Sequence, residues 1–305
     1  FTFFTLNFLL TSWVMKAHWG GGLFASILNG FLMSIVFIAV FKIKHKIGYK
    51  YAIIALPILW VAFEYFHLNW ELTWSWLTIG NVFSEKISWI QWYEYTGTLG
   101  GSLWVLMINA IFFYSLSNLN SKKRLYKSIY LTIIIFLVPY FISLYINYNL
   151  LKPKNDEIKV VIVQPNYEPH FQKFKISQDS QLSSVELLLD SIWQTSPDLI
   201  LLPETFIIEW MWESRIENEP VIIRMKSWLK DHPETQILTG ASTGKVIKDF
   251  DYYKSTARKS RDGVWYEVFN TALLISIDEP VQIFHKSKLV PGAEMIPYSS
   301  LFKPI

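Results

Sequence analysis

The feature that most constrains this chain is a long run without charge. Residues 23–41 hold no Asp, Glu, Lys or Arg over 19 positions, enough helix to cross the hydrocarbon core of a bilayer. An amphipathic helix in a soluble core would carry charges every third or fourth residue, and none are present. Residues 51–66 form a second such run, interrupted by Glu64 and flanked by aromatics; 99–116 and 129–146 form two more. Residues 1–15 are apolar but short, and are expected to be the remaining end of another span. Gly20-Gly21-Gly22 is expected to be a turn, and is no phosphate loop because no Lys-Ser/Thr follows. A polytopic helical membrane domain over 1–150 is therefore expected. The 51% hydrophobic content and mean hydropathy of +0.25 come from this half. Residues 151–305 have an ordinary globular mixture, entered through the linker Lys152-Pro153-Lys154-Asn155-Asp156.

Loop charge orients the spans. Lys42, Lys44, Lys46 and Lys50 fill one polar loop, and Lys122, Lys123, Arg124 and Lys127 another. The loop between them, residues 67–98, has no cationic excess. By the positive-inside rule the two basic loops are cytoplasmic, and the domain after the last span faces outward. Loop 67–98 also gathers Trp70, Trp74, Trp76, Trp89 and Trp92. That suits either a belt at the lipid headgroups or a lip around a lipid-binding cleft. The net charge is only +3 and no basic run interleaves with aromatics, so nucleic acid is not an expected partner. No histidine pair has metal-ligand spacing, and with no cysteine there is neither a thiolate metal site nor a disulfide. No cofactor is expected.

The second half reads as strands interspersed with helices, an α/β arrangement. Strands are expected at 158–164, 198–202, 236–239, 270–277 and 281–289, helices at 177–194 and 220–231, and a charged surface hairpin at 255–263. Asp198-Leu199-Ile200-Leu201-Leu202 has the apolar run of a strand buried on both faces. Pro203 ends it, because proline cannot donate to a ladder. Glu204 is left at the tip. It is either a partly desolvated carboxylate with a raised pKa, fit for a general base, or simply the opening of a helix. Lys286 lies in an otherwise apolar strand, and Pro291-Gly292 can turn the chain so that Glu294 folds back toward it. Gly240-Ala241-Ser242-Thr243-Gly244 fits the nucleophile elbow of a serine hydrolase, but little helical periodicity follows, as an elbow requires. A membrane-anchored esterase or amidase using Ser242, and a non-catalytic lipid- or lipoprotein-binding module, are the alternatives to a Glu–Lys site. Residues 206–212 combine Phe206, Trp210, Met211 and Trp212. They are expected to form a membrane-facing lid, with Trp210 and Trp212 touching lipid substrate.

Leu202-Pro203-Glu204, Asn270-Thr271-Ala272-Leu273-Leu274-Ile275 and His285-Lys286-Ser287-Lys288-Leu289 resemble, in order, the nitrilase (carbon–nitrogen hydrolase) superfamily. The longer pattern Lys286…Leu289-Val290-Pro291…Glu294, behind several membrane helices, resembles the apolipoprotein N-acyltransferase family within it. So does Trp60-Val61-Ala62-Phe63-Glu64…Trp74-Ser75-Trp76. The resemblance implies an αββα sandwich, of which 151–305 would be part, on the periplasmic side of the bacterial cytoplasmic (inner) membrane. It implies a Glu–Lys–Cys triad with Glu204 as general base, Lys286 as the oxyanion-stabilising cation and Glu294 as an accessory carboxylate. The implied partners are membrane lipids, a phospholipid acyl donor and a diacylated lipoprotein acceptor. Two departures stand out. Gly292-Ala293 replaces the family's usual Phe-Gly, and the cysteine is missing. The expectation is that the chain is an internal fragment, inactive alone, with its nucleophile beyond residue 305; a pseudoenzyme is the alternative.

Overall fold

The computed structural model describes residues 1–117, 122–150, 157–168, 172–247, 257–292 and 294–298. The chain divides into two compact units. One comprises Phe1–Pro153 with Pro291–Pro297, the other Lys154–Val290 with Tyr298–Ile305.

The first unit is helical: α1 (Thr2–Thr11), α2 (Trp19–Lys46), α3 (Tyr49–Leu68), α4 (Tyr93–Leu116) and α5 (Lys122–Leu150). The last four are long and apolar enough to cross a membrane. The glycine triplet is not the expected turn but part of the first turns of α2. His18 caps that helix, its Nδ1 accepting from Gly21 N at 2.9 Å. Absence of a side chain at Gly22 and Gly30 lets α2 close on the Met15 and Phe4 backbones. Pro139 lies inside α5 and leaves the Ile135 carbonyl without its usual donor. Trp104 of α4 supplies one, its Nε1 donating to Ile135 O at 2.7 Å. The tryptophans of loop 67–98 mostly fold back onto this unit: Trp89 packs edge-on to Tyr140, Trp92 to Trp104, and Trp70 tilts over Phe66. Trp76 stays 61% exposed.

The second unit is one mixed sheet covered by helices. Its strands are β1 (Val160–Ile162), β2 (Leu199–Leu201), β3 (Ile207–Trp212), β4 (Gln236–Val246), β5 (Arg258–Lys259), β6 (Trp265–Ile275) and β7 (Gln282–His285). Strand β4 is the spine. It pairs antiparallel with β6 along most of its length, from Ile237↔Ile275 to Val246↔Tyr266. On its other side β2 pairs parallel with Gln236 to Leu238, and β3 pairs parallel with Ala241 to Gly244. Strands β2 and β3 therefore stand end to end along one edge of β4. Helices α6 (Gln178–Trp193) and α7 (Pro220–Trp228) lie side by side, and Leu182, Val185, Ile222 and Met225 share a core with Ile200, Ile207, Met211 and Ile237.

Several boundaries differ from expectation. Strand β4 runs on through Val246, because glycines and small residues suit a strand crowded from both sides. Strand β7 ends at His285 rather than near Leu289. Residues 206–212 are not a lid. Ile207 and Met211 are buried on the face of β3 that meets the core, and Phe206, just before the strand, is buried too. The linker at 152–156 lies outside the described residues, as does part of 255–263.

A charged clasp joins the helices. Arg224 donates from Nε and Nη2 to both oxygens of Glu186, at 2.7 and 2.6 Å, and from Nη1 to Asp179 at 2.8 Å; Trp228 Nε1 adds a bond to Glu186 at 2.9 Å. The Arg224 hydrogen bonds hold the Glu186 carboxyl below the usual carboxylate range against the opposing push of burial, with Trp228 and the Arg224 charge assisting. A depressed folded value means the unfolded chain binds more protons as pH falls. The stabilisation is thus present above the ordinary carboxylate value and is lost as pH drops through the folded one. Glu186→Gln should cost about 2 kcal/mol at neutral pH, the scale of hydrogen bonds to charged groups. It should also flatten the acid limb of stability, as read from thermal unfolding across pH 3–7.

Candidate active site

The site begins where β2 stops. Leu202 N donates to Leu238 O at 2.8 Å, the last bond of that ladder, and Pro203 cannot continue it. Pro203 O instead accepts from Gly240 N at 3.1 Å and Phe206 N at 3.2 Å, closing a tight turn with Glu204 at its crest. Thr205 adopts φ 53°, the left-handed region, to bring the chain round into β3. The turn lies directly against β4. A Cβ on residue 240 would overlap the Thr205 amide nitrogen and stand 2.6 Å from Glu204 Cα. Glycine is required there by close approach rather than by its torsion angles.

Two further strands deliver the partners of Glu204. Asn270, within β6, donates from Nδ2 to Glu204 Oε1 at 2.6 Å. Lys286 follows β7 directly, its backbone N donating to Asn270 O at 2.8 Å, and its Nζ reaches the same Glu204 Oε1 at 3.0 Å. Lys173 donates from Nζ to the Glu204 carbonyl oxygen at 3.0 Å; burial pulls its ammonium below its ordinary range, against the opposing attraction of Glu204. The period of a strand sends Thr271 and His285 the other way. There Thr243 donates to Glu213 Oε1 at 2.9 Å and shares a 2.7 Å hydrogen bond with Thr271, while His285 Nε2 meets Glu213 Oε1 at 2.5 Å and its ring stacks on Phe269. This second cluster pins the middle of β6 and the end of β7, and with them Asn270 and Lys286.

Of the expected site residues, Glu204 and Lys286 are brought together. The desolvation expected of Glu204 is not found: its side chain is 64% exposed, against 31% for Lys286. The reason is its place on a turn beyond the strand end rather than within the ladder. Trp210 and Trp212 face one way on β3, their rings 4.4 Å apart at 70° and both edge-on to Tyr266. The Trp210 ring lies over Gly244, whose missing side chain makes room for it. Glu294 stands exposed in the short turn around Gly292, in the segment that groups with the helices. Asn270 and Lys173 were missed as site residues. An amide heading an apolar strand was a usable signal for the first; nothing local marks the second.

Ser242 sits in the middle of β4, paired with Asn270 of β6, and the strand continues four residues beyond it. A nucleophile elbow needs a sharp strand-to-helix turn. Ser242 is therefore not on a nucleophile elbow, and both glycines of that motif are explained by what crosses them, the Glu204 turn and the Trp210 ring.

A carboxylate touching an ammonium, with an amide fixing its orientation, offers a proton acceptor beside a localised positive charge. These are the two elements that activating a nucleophile and stabilising an oxyanion require. Residues 1–111 match the family described as the apolipoprotein N-acyltransferase N-terminal domain. The chain is 25% identical over 297 residues to the apolipoprotein N-acyltransferase of Chlorobaculum tepidum, covering 95% of this chain and 54% of that protein. It is 25% identical over 271 residues to that of Chlamydia trachomatis, 82% of this chain and 46% of the other. Apolipoprotein N-acyltransferase 1 of Treponema pallidum is 30% identical over 153 residues, 47% of this chain and 26% of that one. The chain thus spans about half the length, or less, of these relatives. Along its membrane helices and the sheet that follows them, the chain is similar to apolipoprotein N-acyltransferases.

Proposed function

We propose that this chain carries the base and the cation of a thiol-dependent N-acyltransferase. It would move a fatty acyl chain from a phospholipid to the α-amine of a diacylglyceryl-cysteine lipoprotein. The observation that carries the reading is the 3.0 Å contact between Lys286 Nζ and Glu204 Oε1 on a domain that follows four apolar helices. The 305 residues contain no cysteine. On this reading the thiol comes from residues outside them, and the chain alone does not turn over.

Glu204 takes the thiol proton, and the thiolate attacks the ester carbonyl of the phospholipid. Lys286 faces the oxyanion, and Glu294 is the accessory carboxylate. The carbon–oxygen bond breaks, the released lysophospholipid oxygen takes the proton back from Glu204, and a thioester remains. The lipoprotein amine then attacks the thioester, gives its proton to Glu204, and frees the thiolate for the next cycle. Asn270 holds the carboxylate in place throughout. Trp210 and Trp212 offer apolar contact to the acyl chain, which costs about 0.8 kcal/mol for each CH₂ left in water. The domain works on the periplasmic side of the inner membrane, where the basic loops 42–50 and 122–127 would orient it.

The test uses the full-length protein in phospholipid vesicles with a diacylglyceryl-cysteine peptide, and reads the N-acylated peptide by mass spectrometry. Acyl transfer is expected, with Ser242→Ala within about twofold of wild type because Ser242 sits inside a continuous strand, where no elbow presents its hydroxyl as a nucleophile. No transfer at all, or loss of transfer in Ser242→Ala alone, overturns the assignment.

A further inference from the structure

Glu64 and His67 lie one turn apart on α3, both more than nine-tenths buried, in a helix long and apolar enough to cross a membrane. Ionisable groups in such a place call for an explanation. Glu64 Oε1 has two donors, Trp60 Nε1 at 3.0 Å and the backbone N of Ile79 at 2.9 Å. Its Oε2 is buried without a partner, as are His67 Nδ1 and the indole Nε1 of Trp74. Glu64, His67 and Trp74 line one cavity together with Asn29, Met33 and Thr78; about 10 Å³ of it is open to the centre of a water molecule.

The indole N–H of Trp74 can only donate and a Glu64 carboxylate oxygen accepts; the polarity of the His67 atom follows from a chain of hydrogen bonds that starts at the main chain. Phe3 O can only accept, so the Asn7 atom 2.7 Å from it is the donor Nδ2. Asn7 Oδ1 then accepts from Asn29 Nδ2 at 2.5 Å, which leaves Asn29 Oδ1 to accept from His67 Nε2 at 3.0 Å. This order assigns the His67 proton to Nε2 and makes Nδ1 an acceptor. The cavity therefore presents two acceptors, Glu64 Oε2 and His67 Nδ1, and one donor, Trp74 Nε1–H. A metal cation is disfavoured by the indole N–H, and an anion by the carboxylate. One molecule that donates twice and accepts once completes all three groups, in a space of the size one water needs.

We propose that Glu64, His67 and Trp74 form an internal binding site for a single water molecule. Through it α3 is bonded to the aromatic loop at Trp74, in addition to the direct bond from Ile79. The test is water-edited solid-state NMR on the full-length protein, labelled with ¹⁵N-histidine and held in lipid bilayers, with the His67 ring identified by its loss in His67→Gln. The wild-type ring should show Nε2 protonated and Nδ1 unprotonated, and should receive polarisation from water. Trp74→Phe should abolish that transfer, while Trp76→Phe, at an exposed ring of the same loop, should leave it intact. A ring protonated on Nδ1, a wild-type ring that receives nothing from water, or transfer that survives Trp74→Phe would each overturn the site. The first two readings are made on the wild-type protein, His67→Gln serving only to identify the ring.

Discussion

In the full-length protein, Lys286→Met should lower acyl transfer by about a hundredfold or more, the scale of losing one oxyanion-stabilising donor. Glu204→Gln should cost about as much or more, because the amide keeps the shape of the side chain but cannot take a proton. Neither change should unfold the domain. Glu204 is largely exposed and Lys286 about a third exposed, and methionine retains the apolar stem of the lysine. Thermal unfolding within a few degrees of wild type would establish that the loss is chemical. Wild-type transfer rates in both stable variants would remove Glu204 and Lys286 from the reaction altogether.

Gly240→Val is expected to be the most damaging single change in the sheet. The atoms a side chain would strike are backbone: the Thr205 nitrogen and the α and carbonyl carbons of Glu204. Backbone cannot rotate aside as the end of a side chain can. On one side the turn is tied to β4 by the Gly240 N to Pro203 O bond, and on the other it leads into the buried Phe206 and Ile207. Overpacking at such a place costs about 3 kcal/mol or more. Two residues along the same strand, Ser242→Ala should be nearly silent. Denaturant unfolding of the two variants side by side checks this, and comparable stability in both would show that the turn can move away from β4.

Those two glycines also show where reading the sequence stops. Gly240 and Gly244 sit in a stretch whose composition suggests a loop or an elbow, yet both belong to β4, one of the two longest described strands of the sheet. What demands them is a turn some 36 positions earlier and a tryptophan ring on β3, neither of which is a local signal. The membrane helices were legible because uncharged length is local. Glu204 was legible as a strand terminus because Pro203 marks the stop, and Lys286 because it follows an apolar strand. The burial of Glu204 was misjudged for the same local reason: an apolar strand before it says nothing about what lies beyond its tip. The 206–212 segment misled through composition. Its aromatics suggested an interface, while the alternation that sends Ile207 and Met211 inward depends on pairing with β4. Glu64 was visible as an interruption of an apolar run and as part of the motif that begins at Trp60; that its Oε1 accepts from both Trp60 and Ile79 follows from how loop 67–98 folds back.

Because β2 and β3 stand in line against one strand, the three residues Pro203, Glu204 and Thr205 fill a gap of set width between two registers. Gaining or losing a residue there would slide the start of β3 by one position along Ala241 and put Phe206 or Ile208 in the place that Ile207 fills. Surface loops elsewhere in the domain can lengthen or shorten as lineages diverge, since loop closure depends only weakly on length. This turn has no such freedom. Among descendants of this chain that still fold, the distance from Leu202 to Phe206 should be as invariant as any side chain in the site, a constraint on spacing that would persist even if Glu204 itself were lost.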